Sequence, residues 1–242
     1  MSSEHDYIAE REAIVATARR MVTGGLTEHT SGNVSCRLPV DATTGENMPR
    51  YAITPHGLDY FEMETQHIVL LDATGETVDT SAGNDGQARM ASAEKAVHLA
   101  VYQARPDVQA VMHAHPTHVQ MLAVAGVALP SIIDEAWVEL GAEVRVAEYA
   151  ISGTDELATN VVKALGDDRA CLMASHGMLA AGRDLGHALE IAEMIEHLSE
   201  VYVGAQSLGG ARLLPEAAEN LYGGVYAYKR QQENAEAEGE HE

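Results

Sequence analysis

Several scarcities narrow the field before any motif is read. Cysteine occurs only as Cys36 and Cys171, which argues against a disulfide framework and leaves two small buried thiols. Lysine is confined to Lys95, Lys163 and Lys229, and Lys+Arg total 15 against 37 Asp+Glu, for a formal net charge of −22. The basic residues are scattered, so this acidic surface repels phosphate backbones and anionic headgroups, and neither nucleic acid nor a membrane is expected as a partner. No apolar run approaches the roughly 20 residues of a membrane span. The opening MSSEHDYIAERE has neither the basic nor the apolar region of a signal peptide, which sets the expectation of a cytoplasmic protein.

The chain has 242 residues, 46% of them hydrophobic. That is enough to bury the core of one mixed α/β domain, and no linker divides it. Abundant acid with little lysine suits a salt-rich cytoplasm, where screening weakens self-repulsion. A GC-rich genome favouring Arg over Lys gives the same bias, and stability unchanged from low to molar salt would refute the halophilic reading.

Apolar residues at Ile8, Ile14, Val15, Ala18 and Val22 follow a helical period, so a helix is expected over Tyr7–Thr23 with Gly24-Gly25 as its stop. Strands are expected at Asn33–Arg37, Tyr51–Thr54, Ile68–Asp72 and Glu76–Asp79 without intervening helices, hence antiparallel. Ser92 caps an expected helix through about Gln103 that leads into a buried strand at Val108–His113. Further helices are expected at Pro116–Ala125, Thr154–Leu165 and Asp184–Ala205, with strands at Val144–Tyr149 and Ala170–Ala174. The expected fold is a three-layer αβα sandwich around a largely antiparallel central sheet, one domain over residues 1–228, and a disordered acidic tail over 229–242.

The most specific local signal is VMHAHPTHVQ, with His113 and His115 two residues apart at the end of an apolar strand. Side chains at i and i+2 of a strand share a face, so both imidazoles converge on one point. A chance pair does the same, and metal binding needs a carboxylate and a third histidine in suitable places. Glu94 supplies the carboxylate, in the first turn of the helix that feeds this strand, where the helix dipole favours its ionised form. His98, one turn on, takes a packing or supporting role. His176 in CLMASHGMLAAG is the third histidine, its glycine neighbour allowing the backbone to turn closely around a site. His113, His115 and His176 make a three-nitrogen zinc site with an open position that Glu94 fills or guards. His118 is the competing ligand, but a helix starting after Pro116 carries it off the strand face.

These residues resemble the class II aldolase/adducin family from about Glu12 to Tyr228. The pieces that carry the resemblance are TSGNVS at 30–35, ITPHGLDY at 53–60, ASAEKAVHLAVY at 91–102, RPDVQAVMHAHPTH at 105–118 and SHGMLAAG at 175–182. The resemblance implies a divalent metal on His113, His115 and His176, most naturally Zn2+ with Mn2+ or Co2+ possible, and Glu94 as catalytic acid/base and potential fourth ligand. It implies an aldolase that cleaves a hydroxy-ketone, a sugar phosphate or related sugar, through a metal-stabilised enediolate. It also implies a homotetramer with sites at subunit interfaces.

The pattern departs from the sugar-phosphate aldolases in two places. Gly32, Asn33, Gly57 and Ser92 of the anion pocket are present, but His56 replaces the serine of a TPSG turn and Ala93 the second serine of a pair. Each lost hydroxyl removes a donor worth about 1.5–3 kcal/mol to a charged acceptor. His56, if protonated, restores an anion contact, and a carboxylate would suit the same pocket. Some relatives with this fold decarboxylate hydroxylated aromatic or sugar acids, so the resemblance also implies decarboxylation as the alternative reaction. In IIDEAW, Asp134 and Glu135 stand where aldolases present a tyrosine acid across the interface. One of them, or Tyr222, Tyr226 or Tyr228, is expected to donate the proton. Two other classes fit the residues less well: a cytoskeletal binding module, which has no need of four converging polar groups, and a non-haem iron oxygenase, in which His176 is surplus.

Overall fold

The computed structural model describes residues 7–39, 50–78 and 89–239. Nine strands and seven α-helices are described: α1 (Ile8–Thr23), β1 (Asn33–Arg37), β2 (Tyr51–Ile53), β3 (Val69–Leu71), α2 (Lys95–Ala104), β4 (Ala110–Ala114), α3 (Thr117–Ala125) and β5 (Leu129–Pro130). They continue with α4 (Asp134–Leu140), β6 (Glu143–Val144), β7 (Val146–Ala147), α5 (Asp155–Leu165), β8 (Ala170–Met173), β9 (Gly177–Gly182), α6 (Leu185–Ser207) and α7 (Glu216–Gly239). A single 3-10 turn spans Thr65–His67.

Seven strands form one sheet in the order β3-β2-β1-β4-β9-β8-β7. Every neighbouring pair is antiparallel except β7 with β8. Alternation along the strands divides the core in two. Val34, Met112 and Ala180 face a layer that includes Ile14 and Met21 of α1 and Leu189 and Ile195 of α6. Val111 and Leu179 face the opposite way, onto Val97 and Val101 of α2 and Leu157 and Val161 of α5. The expected three-layer, largely antiparallel sandwich is what the chain forms.

Five local expectations need correction. The α2 helix begins at Lys95, with Glu94 at the N-cap position rather than inside the first turn. Ser92 instead accepts a bond from the Glu94 N–H at 3.3 Å, closing the turn just before the helix. Val144–Tyr149 is not one strand: Val144 pairs with β5 in a separate two-stranded sheet, while Val146 and Ala147 join β8. The IIDEAW turn opens helix α4. The acidic tail is helical to Gly239, because Glu233 is drawn in by the guanidinium of Arg169, which is 1% exposed. Of the Glu76–Asp79 strand, only the bridge Leu71–Thr77 forms, and Asp79 lies outside the described residues.

Candidate active site

The site forms where β4 ends, β1 begins, the β8–β9 turn passes and α2 starts. The antiparallel register sets Asn33 opposite His113, and His113 opposite Leu179 of β9. Asn33, Ser35, Val111 and His113 consequently share the α2 side of the sheet. His115 follows β4, and His176 sits in the tight turn before Gly177. Two glycines allow these close approaches. A Cβ on Gly177 would lie 2.4 Å from the Ala114 carbonyl oxygen and 2.6 Å from Cδ2 of His115. Gly32 has φ +74, and a Cβ there would meet the His113 carbonyl oxygen at 2.6 Å.

The structure gathers His113, His115 and His176 so that their ligand atoms all lie within 4.8 Å of one another. Glu94 joins them, its Oε2 2.7 Å from His113 Nε2 and its Oε1 3.3 Å from His176 Nε2. The carbonyl of Met178 can only accept, so the 2.8 Å contact puts a proton on Nδ1 of His113 and turns the Nε2 lone pair to the centre. That Nε2 is also 2.8 Å from His115 Nε2. Lone pairs packed this closely need a proton or a cation among them.

The electrostatics favour a cation. Burial alone pushes the Glu94 carboxyl up, but its bond and charge interaction with His113, the Ser152 hydroxyl and His176 outweigh that and hold it well below the usual carboxylate range. Burial, then the charges of His113 and His176, push His115 down to about 3. Burial and His113 likewise lower His176. A carboxylate held ionised, beside His115 and His176 whose protonation is disfavoured, suits the donor set of a divalent transition ion.

Around this group, Asn33 Nδ2 donates to Glu94 Oε2 across 3.4 Å. The Tyr60 hydroxyl donates to the Gly32 carbonyl at 2.6 Å and steadies that turn. His56 is exposed, and its backbone N–H donates to the Met90 carbonyl at 2.8 Å. The Pro55–Ala91 bridge and the bond from Ser92 N–H to the Thr54 carbonyl bring the His56-Gly57 turn alongside Ser92. The Val34 N–H donates to the Thr54 hydroxyl oxygen at 3.2 Å, which ties this turn to the strand that starts at Asn33.

Asp134 is not part of this group within one chain. It opens α4 and accepts a 2.9 Å bond from the Tyr222 hydroxyl of α7. His118 leaves the strand face as expected, its ring bonding Glu196, which also receives the N–H groups of His118 and Val119. One contact escaped the sequence reading: the Ser152 hydroxyl donates to Glu94 Oε1 at 2.5 Å. No spacing announces it, because Ser152 reaches Glu94 only through the packing of α5 on α2.

A family model described as Class II Aldolase and Adducin N-terminal domain matches residues 12–203. The chain is 34% identical over 213 residues to 5-deoxy-D-ribulose 1-phosphate aldolase of Bacillus thuringiensis serovar kurstaki, covering 88% of this chain and 93% of that one. It is 32% identical over 190 residues to L-fuculose phosphate aldolase of Escherichia coli K12, covering 78% and 80%. A solved structure of L-fuculose 1-phosphate aldolase superposes with a TM-score of 0.79 at 33% identity, over 94% of this chain and 98% of that one.

Proposed function

Because the chain belongs to the class II aldolase and adducin family, we propose that it is a divalent-metal-dependent aldolase that cleaves a ketose 1-phosphate into glycerone phosphate and an aldehyde. The observation that carries this reading is the placement of Glu94 between His113 and His176, with Asn33 donating to the oxygen that His113 also meets. In this reading His113, His115 and His176 hold the metal, zinc being the ion the donor set suits best, and Glu94 is the acid/base and an occasional fourth ligand. A divalent ion, when bound, polarises the substrate carbonyl and shares the negative charge that grows on its oxygen.

The chain's own groups do the rest. In synthesis the ionised Glu94 removes a proton from the carbon beside the carbonyl, and in cleavage it returns that proton as the C–C electron pair arrives there. Ser152 and Asn33 orient its two oxygens by donating to them. The backbone at Gly32 and Gly57, the Asn33 amide, Ser92 and His56 receive the phosphate, with His56 standing in for a lost hydroxyl. In cleavage the hydroxyl that becomes the aldehyde carbonyl gives its proton to Asp134 or to a C-terminal tyrosinate of a neighbouring subunit, since within its own chain Asp134 sits apart from the imidazoles, bonded by Tyr222. That requirement favours a homotetramer with shared sites. No helix among the described residues is long and apolar enough to cross a membrane, and we place the enzyme in the cytoplasm.

The decarboxylase alternative has less support, since the relatives at 32% and 34% identity are named as sugar-phosphate aldolases. Incubating the metal-loaded protein with 5-deoxyribulose 1-phosphate, fuculose 1-phosphate and dihydroxybenzoates, while following aldehyde and CO₂ separately, tests the reading. Aldehyde release from a ketose 1-phosphate is expected, and CO₂ release alone would overturn it.

A further inference from the structure

Behind Glu94, a file of buried polar side chains runs along the α2 face of the sheet. The Tyr102 hydroxyl lies 2.8 Å from Ser35 Oγ, which lies 2.6 Å from Nδ1 of His98. Nε2 of His98 meets Oδ1 of Asn33, and Asn33 Nδ2 reaches Glu94 Oε2. Exposure along the file is 2% at Tyr102, 1% at Ser35, 1% at His98 and 4% at Asn33, so no solvent can substitute for a missing partner.

A file of this kind has two senses. In one, Tyr102 donates to Ser35, Ser35 to Nδ1 of His98, Nε2–H of His98 to the Asn33 oxygen, and the Asn33 NH₂ to Glu94. In the other, every donor reverses, and the Asn33 oxygen is turned against the Glu94 carboxylate. Two acceptors facing each other in a dry site each forfeit a bond. The structure has the first sense, with Asn33 Nδ2 turned to Glu94 and Oδ1 to Nε2 of His98, and there all five groups are satisfied. The burial that pushes His98 down to about 3 keeps its ring neutral, so one nitrogen can accept while the other donates.

We propose that His98 is a positioning residue that, with its proton on Nε2, locks the Asn33 amide so that the NH₂ faces Glu94 and the anionic group of the substrate. One N–H is spent on Glu94, and the second is left for the anion. This role rests on the assignment of Asn33 to the anion pocket above. His98 touches neither metal nor substrate and acts through Asn33 alone.

Two homologous amides, one methylene apart, separate positioning from mere packing. Gln at position 98 places a donor where Nε2 stands and preserves the bond to Asn33, whereas Asn reaches only as far as Nδ1 and preserves the bond to Ser35. Calorimetric titration of the metal-loaded protein with inorganic phosphate is expected to give H98Q an affinity within about threefold of the parent, and H98N a loss of about tenfold or more. KM for the ketose 1-phosphate should rise in step for H98N and stay near the parent value for H98Q. Equal losses in both variants would overturn the proposal. The tautomer supplies a check that needs neither phosphate nor turnover. In 15N-histidine-labelled protein, NMR should find His98 protonated on Nε2 and bare on Nδ1, and a proton on Nδ1 would overturn the lock even if the enzyme is an aldolase. Failure of the parent protein to bind phosphate would instead refute the anion pocket, with the tautomer still deciding the role of His98.

Discussion

Substituting Gly177 by Ala probes how tightly the fold itself sets the imidazoles proposed to hold the metal. The backbone at Gly177 is not in the left-handed region, so an alanine there is not strained by its own φ, and its effect is purely one of space. The new methyl would lie 2.4 Å from the Ala114 carbonyl oxygen and 2.6 Å from Cδ2 of His115. One of the two must move. The carbonyl belongs to β4, which is bonded to both β1 and β9, so the His115 ring gives way most readily. Overpacking of this kind costs about 1–3 kcal/mol, and shifting a ligand's support costs about 10–100-fold in metal affinity. Gly126→Ala is the control: φ is +66, and a Cβ there meets nothing within 4 Å. It should lose about 1–2 kcal/mol to backbone strain yet bind metal like the parent. Thermal unfolding reads the first quantity and metal titration of the stripped protein the second. If G177A binds metal as tightly as G126A does, the reasoning about His115 is wrong.

Two further perturbations follow from buried groups outside the chemistry. Glu233→Gln removes the charge that faces Arg169 at 2.7 and 2.8 Å. With Glu139 remaining beside Arg169 and Glu233 partly exposed, a loss of about 1–3 kcal/mol is expected. Hydrogen exchange should speed up along α7 while β4 and β9 stay protected, and unchanged protection of α7 would contradict the docking. His98 is held neutral, pushed down to about 3, so below its ordinary pKa near 6.5 the unfolded chain binds one more proton than the folded one. Its contribution to stability is therefore complete above that pH and shrinks as pH falls, by at most about 1.4 kcal/mol per unit. Denaturant unfolding from pH 6.5 to 4.5 should fall more steeply for the parent than for H98Q, and parallel curves would contradict the assignment.

What was legible in the sequence, and what was not, divides along physical lines. β1 has the expected bounds, and His113 and His115 end a strand as their spacing implies. The convergence of His176 and Glu94 on that pair came from the motifs and the family resemblance together, since no local pattern gives a distance across the fold. β9, by contrast, hides inside SHGMLAAG. As an interior strand between β4 and β8 with helices on both faces, all six of its residues are buried and no alternation marks it. Helix α7 reads as a solvated acidic tail because its anchor, Arg169, is 64 residues away from Glu233. The bond between His98 and Asn33 spans a similar separation, so the i, i+4 relation of His98 to Glu94 suggested a neighbour but not the residue between them.

The central claim is that Glu94 moves the proton at a site the three imidazoles hold together, and Glu94→Gln tests it most directly. Metal content and ketose 1-phosphate cleavage are measured on the same preparation. The account predicts that E94Q keeps its metal while turnover falls by about 10²–10⁴-fold. Parent-level turnover in E94Q with metal bound would contradict it.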